Sequence, residues 1–292
     1  MTVKSDRPAL ESSPPSRWNT QVILASRSFV PRSLILGLCL TALYLSTAWL
    51  SLARAAETCR GETATLVGSG GDDVLRGTNG RDVIVAKAGD DRIDPGGGRD
   101  LICAGSGSDS VLSSAGNDVV LGGKGGDFIF QREAVDGSDV VWGGSGRDTV
   151  SYGRRFRGVW VTLDDEPNDG HYREGAVDLE SLEHDNVHND IERVIGSLDF
   201  DRLVGADAVN EIMGGRGRDY LWGLEGSDTL RGGGGQDTIF GGFGDDEAFG
   251  GRGDDRLNGE VGDDVLIGGP GFDRADGGPG HNECDAEVPN CA

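Results

Sequence analysis

The sequence predicts an all-β repeat protein whose short strands stack coil upon coil, and three observations carry that prediction. Nine-residue units recur along most of the chain, as in GGKGGDFIF at 122–130. An aliphatic residue returns at the eighth position between two outward-facing neighbours, the pattern of a three-residue strand, because successive strand residues point to opposite faces. Glycine at the fourth position and aspartate at the sixth make the rest of the unit a turn, where positive φ and close backbone approach are needed.

Composition alone argues for disorder. The chain has 292 residues, 51 of them glycine, with 6% aromatics and 50 acidic side chains against 27 Lys+Arg. Such a chain normally buries too little apolar surface to offset its conformational entropy. The period decides against that reading. There are 19 units, nine in 68–151 and ten in 196–285. The fourth position is glycine in 17 units and fails at Asp199 and Ala208; the sixth is aspartate in 17 and is replaced by Asn210 and Asn282. The eighth is Val, Ile or Leu in 16, with Ala248, Ala275 and Cys284 as exceptions. Random low complexity does not hold three positions together.

Residues 1–55 read as a leader. Ser33 to Ala53 carry no charge, follow Arg27 and Arg32, and end in the small-x-small triplet Ala53-Arg54-Ala55, the pattern of a secretory signal. The run is also long enough to span a bilayer as an uncleaved signal-anchor. Cleavage would remove Cys39 and leave Cys59, Cys103, Cys284 and Cys291, an even set suited to an oxidising exterior. Three pairings are open. We expect Cys59–Cys103, tying an N-terminal cap at 56–67 to an early coil, and Cys284–Cys291, folding a C-terminal cap at 286–292 over the open end. No C-x-x-C pair supports a thiolate metal site.

The first array, 68–151, contains GSGGDDVLR, GTNGRDVIV, AKAGDDRID and PGGGRDLIC before the unit at 122, and Gln131, Arg132 and Glu133 break the frame once. Ile84, Ile102 and Val120 then form an apolar ladder, each buried only with neighbouring coils in place. One aliphatic residue per unit makes a thin core, so a second source of stability is required. Residues 152–195 read as an irregular connecting segment, with a strand-like RGVWVTL followed by the acidic turn LDDEPNDG. Within it HDNVH at 184–188 has the histidine spacing of a zinc helix. Asp185 stands where the glutamate base belongs, and Asn186 and Asn189 favour a turn, so His184 and His188 read as surface residues. The second array, 196–285, includes GGRGRDYLW, GGGGQDTIF and GGRGDDRLN.

The unit resembles the repeats-in-toxin family of calcium-binding nonapeptides, G-G-x-G-x-D-x-U-x, over about 174 residues, with intact copies beginning at Gly122, Gly143, Gly214 and Gly232. The resemblance implies a parallel β-roll, a right-handed β-solenoid of short strands, in two arrays joined by an irregular coil. Six residues of each unit form a turn, three a strand, and two units complete one coil. It also implies multiple Ca2+ ions, each between turns two units apart and bridged by both sixth-position aspartates. The implied metal ligands are Asp73, Asp82, Asp91, Asp100, Asp109, Asp118, Asp127, Asp139 and Asp148 in the first array. In the second they are Asp201, Asp219, Asp228, Asp237, Asp246, Asp255, Asp264 and Asp273. Pairs such as Asp82 with Asp100, Asp109 with Asp127, Asp219 with Asp237, Asp228 with Asp246, and Asp237 with Asp255 would give on the order of fifteen sites. Relatives often carry a similar interruption, matched here by VTLD at 161, EHDNV at 183 and DIERVIGS at 190. Family toxins often leave through an exporter that reads a C-terminal signal, so an N-terminal signal departs from that pattern.

Charge makes an independent check. Residues 56–292 hold 21 basic and 48 acidic side chains, a net of −27, which about fifteen divalent ions would bring near neutrality. That charge disfavours nucleic acid as a partner. No G-x-S-x-G elbow, intact zinc helix or phosphate loop occurs, and only a 44-residue gap and short ends remain outside arrays and leader. We therefore expect no enzyme and no small-molecule substrate. The expected protein is a secreted, calcium-binding roll with the cell surface or extracellular matrix as partner. A membrane-tethered spacer or adhesin-like module is the alternative, and a secreted hydrolase is the third reading.

Overall fold

A computed structural model describes residues 56–132, 137–171 and 184–291. The leader expected at 1–55 lies outside them, as do 133–136 of the first array and 172–183 of the connecting segment. Residues 56–292 form one compact unit, whose described residues build a parallel β-solenoid without helix. Among the described residues no helix is long and apolar enough to cross a membrane.

The period of nine becomes a register of eighteen, because alternate units build opposite faces. One face is a single eleven-stranded sheet running from Val74–Thr78 to Glu283–Asp285. The other divides into a six-stranded sheet, Leu66–Val67 to Asn186–Val187, and an eight-stranded sheet, Gly170–His171 to Val288–Asn290. Eighth-position residues stack inside, as in Ile84↔Ile102↔Val120↔Val141↔Val187 and Ile212↔Leu230↔Ala248↔Leu266↔Cys284. All but Cys284 are fully buried. Each is flanked by outward residues, which gives the intermediate–buried–intermediate burial of strands such as Phe128–Phe130.

The connecting segment is irregular on one face only. Arg193–Ile195 enters the eleven-stranded sheet between Thr149–Ser151 and Glu211–Arg216, so that sheet passes through both arrays unbroken. Asn186–Val187 ends the six-stranded sheet, and Val159–Thr162 continues the eight-stranded one, paired antiparallel to Gly170–His171. Tyr152, wholly buried at the junction, donates its hydroxyl to Asp185 at 3.2 Å. The buried Arg155 guanidinium lies 4.8 Å from the Tyr152 ring centroid.

Both expected disulfides are present, Cys59–Cys103 and Cys284–Cys291. The first ties the hairpin Thr58–Cys59/Glu62–Thr63 to the coil at Leu101–Ser106; the second holds Val288–Asn290, the last rung of its sheet.

Glycine is required where neighbouring turns touch. A Cβ added to Gly250 would lie 2.5 Å from Asp255 Oδ2 and 2.7 Å from the Gly268 carbonyl oxygen, whereas one added to Gly234 meets nothing within 4 Å. Gly250→Ala is therefore expected to destabilise the calcium-loaded protein by about 3 kcal/mol through overpacking, and Gly234→Ala by no more than about 0.5 kcal/mol. Urea unfolding in calcium measures both. Equal effects would mean that the turns do not pack as described.

Candidate metal centre

The sixth-position carboxylates form ladders along both edges of the solenoid. In each rung one aspartate's Oδ1 accepts the backbone N–H of the aspartate one coil earlier. Asp100 accepts from Asp82 at 2.7 Å, Asp127 from Asp109, and Asp237 from Asp219, both at 2.8 Å. The same rung joins Asp255 to Asp237 and Asp273 to Asp255. This bond locks the carboxylate's orientation and satisfies a buried donor, leaving the second oxygen aimed into the turn.

Thirteen of those second oxygens are buried with no hydrogen-bond partner among the described residues: Oδ2 of Asp91, Asp100, Asp109, Asp118, Asp127, Asp148, Asp219, Asp228, Asp237, Asp246, Asp255, Asp264 and Asp273. Native proteins leave few such groups, and each costs desolvation energy unless something binds it. The Gly250 contacts show what surrounds one: the carboxylate oxygen and a glycine carbonyl of the next coil both face the space a side chain would fill. Among the described residues no three His, Cys, Asp or Glu side chains converge on one point. An ion held here draws on backbone carbonyls as well as carboxylates, an all-oxygen donor set suited to Ca2+ and unsuited to thiophilic or imidazole-seeking metals.

The other turns are closed by their own backbone, and the second position of the unit decides which. Where its φ is positive, as at Gly215 (112°), Gly233 (110°) or the non-glycine Leu224 (81°), the carboxylate oxygen stays open. Where it is an ordinary residue outside that region, its N–H folds onto the side chain. Ser69 donates to Asp73 Oδ2 at 2.6 Å, Thr78 to Asp82 at 2.7 Å, Ser197 to Asp201 at 2.6 Å, and Ala206 to Asn210 Oδ1 at 2.7 Å. Ser114 is the exception: its N–H faces the Asp118 carboxyl and offsets part of that group's rise, yet its Oγ and Asp118 Oδ2 make no hydrogen bond. Asp139 is engaged differently, accepting from the Ser113 hydroxyl. All seventeen expected ligands thus lie on the ladders, but they do not share one environment.

Electrostatics follows burial and hydrogen bonding together. Burial pushes the Asp219 carboxyl up to about 9, helped by the neighbouring Asp201 charge, and lifts Asp127 and Asp246 to about 7. Burial likewise lifts Asp118, Asp148, Asp228 and Asp237 to about 6, and raises Asp91, Asp100, Asp109, Asp255 and Asp264. The Ser69 N–H and hydroxyl hold Asp73 below the usual range; at Asp82 burial is outweighed by hydrogen bonds from Thr78 and Thr65. Asp201 is more deeply buried and rises to about 7 despite closure.

These shifts fix a pH dependence. An unfolded aspartate releases its proton near 3.9, whereas in the ion-free solenoid Asp118, Asp127, Asp148, Asp219, Asp228, Asp237 and Asp246 hold theirs to about 6–9. Over that window the folded state binds more protons, so its stability falls as pH rises. Chelator-treated protein is therefore expected to show more sheet signal at pH 5 than at pH 8, the reverse of ordinary acid denaturation. Circular dichroism in chelator at the two pH values checks this, and a loss of sheet on acidification would contradict it.

Sequence reasoning missed the residues that carry the ladder past the repeats. Asp185 Oδ1 accepts the Asp139 N–H at 2.9 Å, Glu192 Oε2 the Asp148 N–H at 2.7 Å, and Glu287 Oε2 the Asp273 N–H at 2.8 Å. The signal was present: Asp185-Asn186-Val187 and Glu192-Arg193-Val194 keep the acid and the aliphatic residue two apart, having lost only the glycines. Buried Asp169, raised by burial to about 8, was also missed; it accepts from Thr162 and Val187 N–H at 2.6 and 2.7 Å. His188 stacks on Trp142 with centroids 4.2 Å apart and meets Asp165 through Nδ1 at 2.6 Å. It flanks the strand Asn186–Val187 and not a helix.

The chain matches one family model, described as RTX calcium-binding nonapeptide repeat (4 copies). The matched residues are 67–102, 104–130, 134–154, 189–221, 204–239, 213–248, 222–257, 240–275 and 258–287. No curated protein matched it.

Proposed function

The chain belongs to the RTX calcium-binding nonapeptide repeat family, and from that premise we propose that it is a secreted module that folds around calcium and acts in extracellular binding or surface interaction. The thirteen buried, unpartnered carboxylate oxygens carry this reading. When bound, calcium would supply positive charge to those oxygens, while the chain's own residues orient the carboxylates through the backbone rungs and shape each turn with glycine.

The open turns define the proposed sites. Consecutive rungs with both second oxygens open are Asp91/Asp109, Asp109/Asp127, Asp127/Asp148 and Asp100/Asp118 in the first array. In the second they are Asp219/Asp237, Asp237/Asp255, Asp255/Asp273, Asp228/Asp246 and Asp246/Asp264. We therefore place about nine ions, where repeat counting alone expects about fifteen. Asp73, Asp82, Asp139 and Asp201 serve as ordinary turn-closing acceptors in this reading. Calcium titration by calorimetry with elemental analysis tests it; a stoichiometry near fifteen would show that closed turns bind as well, and none would remove the proposal.

The oxidised pairs support an exterior location, since disulfides persist in oxidising compartments. A catalytic role finds no support in the ladders, whose polar groups are engaged in structure or aimed at a cation. We propose a binding module and not an enzyme. Recovery of the chain only with membranes would favour the tethered form.

A further inference from the structure

We propose that the outer face of the first array carries an anion site for a single sugar-acid unit, a ring bearing both a carboxylate and hydroxyl groups. The inference assumes a folded, calcium-filled roll. Sequence register brings the components together. Val74 pairs with Arg92 and Arg76 with Asp94; Arg92 pairs in turn with Ser110, and Leu112 with Phe130. Ser110, small beside its neighbours, and Leu112 floor a groove of about 170 Å³ between Arg76, Arg92 and Asp94 on one side and Phe130 with Arg154 on the other.

Charge makes the groove unusual for this molecule. The region from 56 onward carries 48 acidic side chains, and a few arginines outside the groove meet one: Arg81 meets Glu62, and Arg147 and Arg193 both meet Glu211. Arg76, Arg92 and Arg154 form no ion pair among the described residues. The contact of Arg154 is with the Phe130 ring, its guanidinium 5.3 Å from the centroid. Three guanidinium groups and one carboxylate leave the groove with a net positive charge inside a strongly negative surface. Arginine's planar fork matches a carboxylate bidentately.

Asp94 narrows the ligand class. Its Oδ1 accepts the Gly96 N–H at 3.3 Å, and a carboxylate facing the same groove as three arginines would repel a bare oxoanion. A ligand that brings hydrogen-bond donors beside its anion satisfies both. Leu112, Phe130 and Val74 add apolar surface for ring C–H groups, and the groove's volume of about 170 Å³ suits a ligand of one substituted ring.

The test uses purified, calcium-saturated protein and methyl glucuronide as probe, followed by nuclear magnetic resonance titration. Native protein is expected to bind it with a Kd on the order of 1 mM, at least tenfold tighter than methyl glucoside, which lacks the anion, or cyclohexanecarboxylate, which lacks the hydroxyls. Arg92→Gln with Arg154→Gln should weaken glucuronide binding at least tenfold, while Asp94→Ala, which removes the acceptor, should erase the preference over cyclohexanecarboxylate. A glucuronate-terminated trisaccharide that binds more tightly than the monosaccharide would identify a chain end as the source; equal binding would identify the free acid. Unchanged affinity in the double variant, or equal binding of all three small probes, would overturn the site. Sheet signal and calcium stoichiometry are followed in every sample, so their loss counts against the calcium reading and their retention with failed glucuronide binding counts against the groove alone.

Discussion

Chelation is expected to abolish most of the β-sheet circular dichroism of this protein, millimolar calcium to restore it, and magnesium at the same concentration to restore little. The interior supplies one aliphatic side chain per nine residues, and at Ala248 and Ala275 only a methyl group. Against that thin core stand thirteen buried carboxylate oxygens without donors. At tenfold excess over Kd each ion contributes about 1.4 kcal/mol, so about nine ions together contribute roughly 13 kcal/mol, as much as the whole stability of an ordinary domain. Binding and folding then form one equilibrium. Magnesium fails because it demands near-octahedral geometry at shorter distances and gives up its waters reluctantly, whereas backbone carbonyls in stacked turns are spaced by the coil. The check is a far-ultraviolet titration of each ion into chelator-treated protein, followed by thermal melts. An unchanged sheet signal and melting point after chelation would remove calcium from the account of the fold.

The parts of this architecture legible in sequence are those that repeat. A glycine, an aspartate and an aliphatic residue at fixed positions encode turn, ladder and core, and the structure places Ile102 over Ile84 and Asp100 beside Asp82 as that pattern requires. Two features were not legible, for different reasons. The junction hides its rungs because Asp185 and Glu192 keep the acid and lose the glycines, and the pattern had been recognised by both. The open and closed turns look alike at the sixth position, since the decision lies four residues earlier in a backbone φ. Ser69, Thr78, Ser197 and Ala206 mark the closed turns in hindsight. Lys87, Leu224 and Glu260 mislead in the other direction, adopting positive φ of 88°, 81° and 69° where glycine would be expected, and their turns stay open. That strain persists only because the coils above and below over-determine the turn.

Neutralising one open aspartate is expected to change stability in opposite directions with and without calcium. Asp237→Asn keeps the oxygen that accepts the Asp219 N–H at 2.8 Å, so the backbone rung survives. In calcium the variant loses a charged ligand shared by the sites on either side, toward Asp219 and toward Asp255, and should be destabilised by about 2–3 kcal/mol with calcium stoichiometry reduced. In chelator at pH 8 the same change removes a buried carboxylate oxygen without a donor and its repulsion with Asp255, and should stabilise the ion-free fold by about 1–3 kcal/mol. Asp82→Asn is the control. Its carboxylate already accepts from the Thr78 N–H and hydroxyl and from Thr65, so neutralisation weakens charge-assisted bonds under both conditions and should destabilise by about 1 kcal/mol in each. Paired unfolding curves in calcium and in chelator read the signs directly. If Asp237→Asn lowered stability equally in both, the open oxygens would be satisfied by something other than a cation, and the division of the turns into two classes would have no energetic meaning.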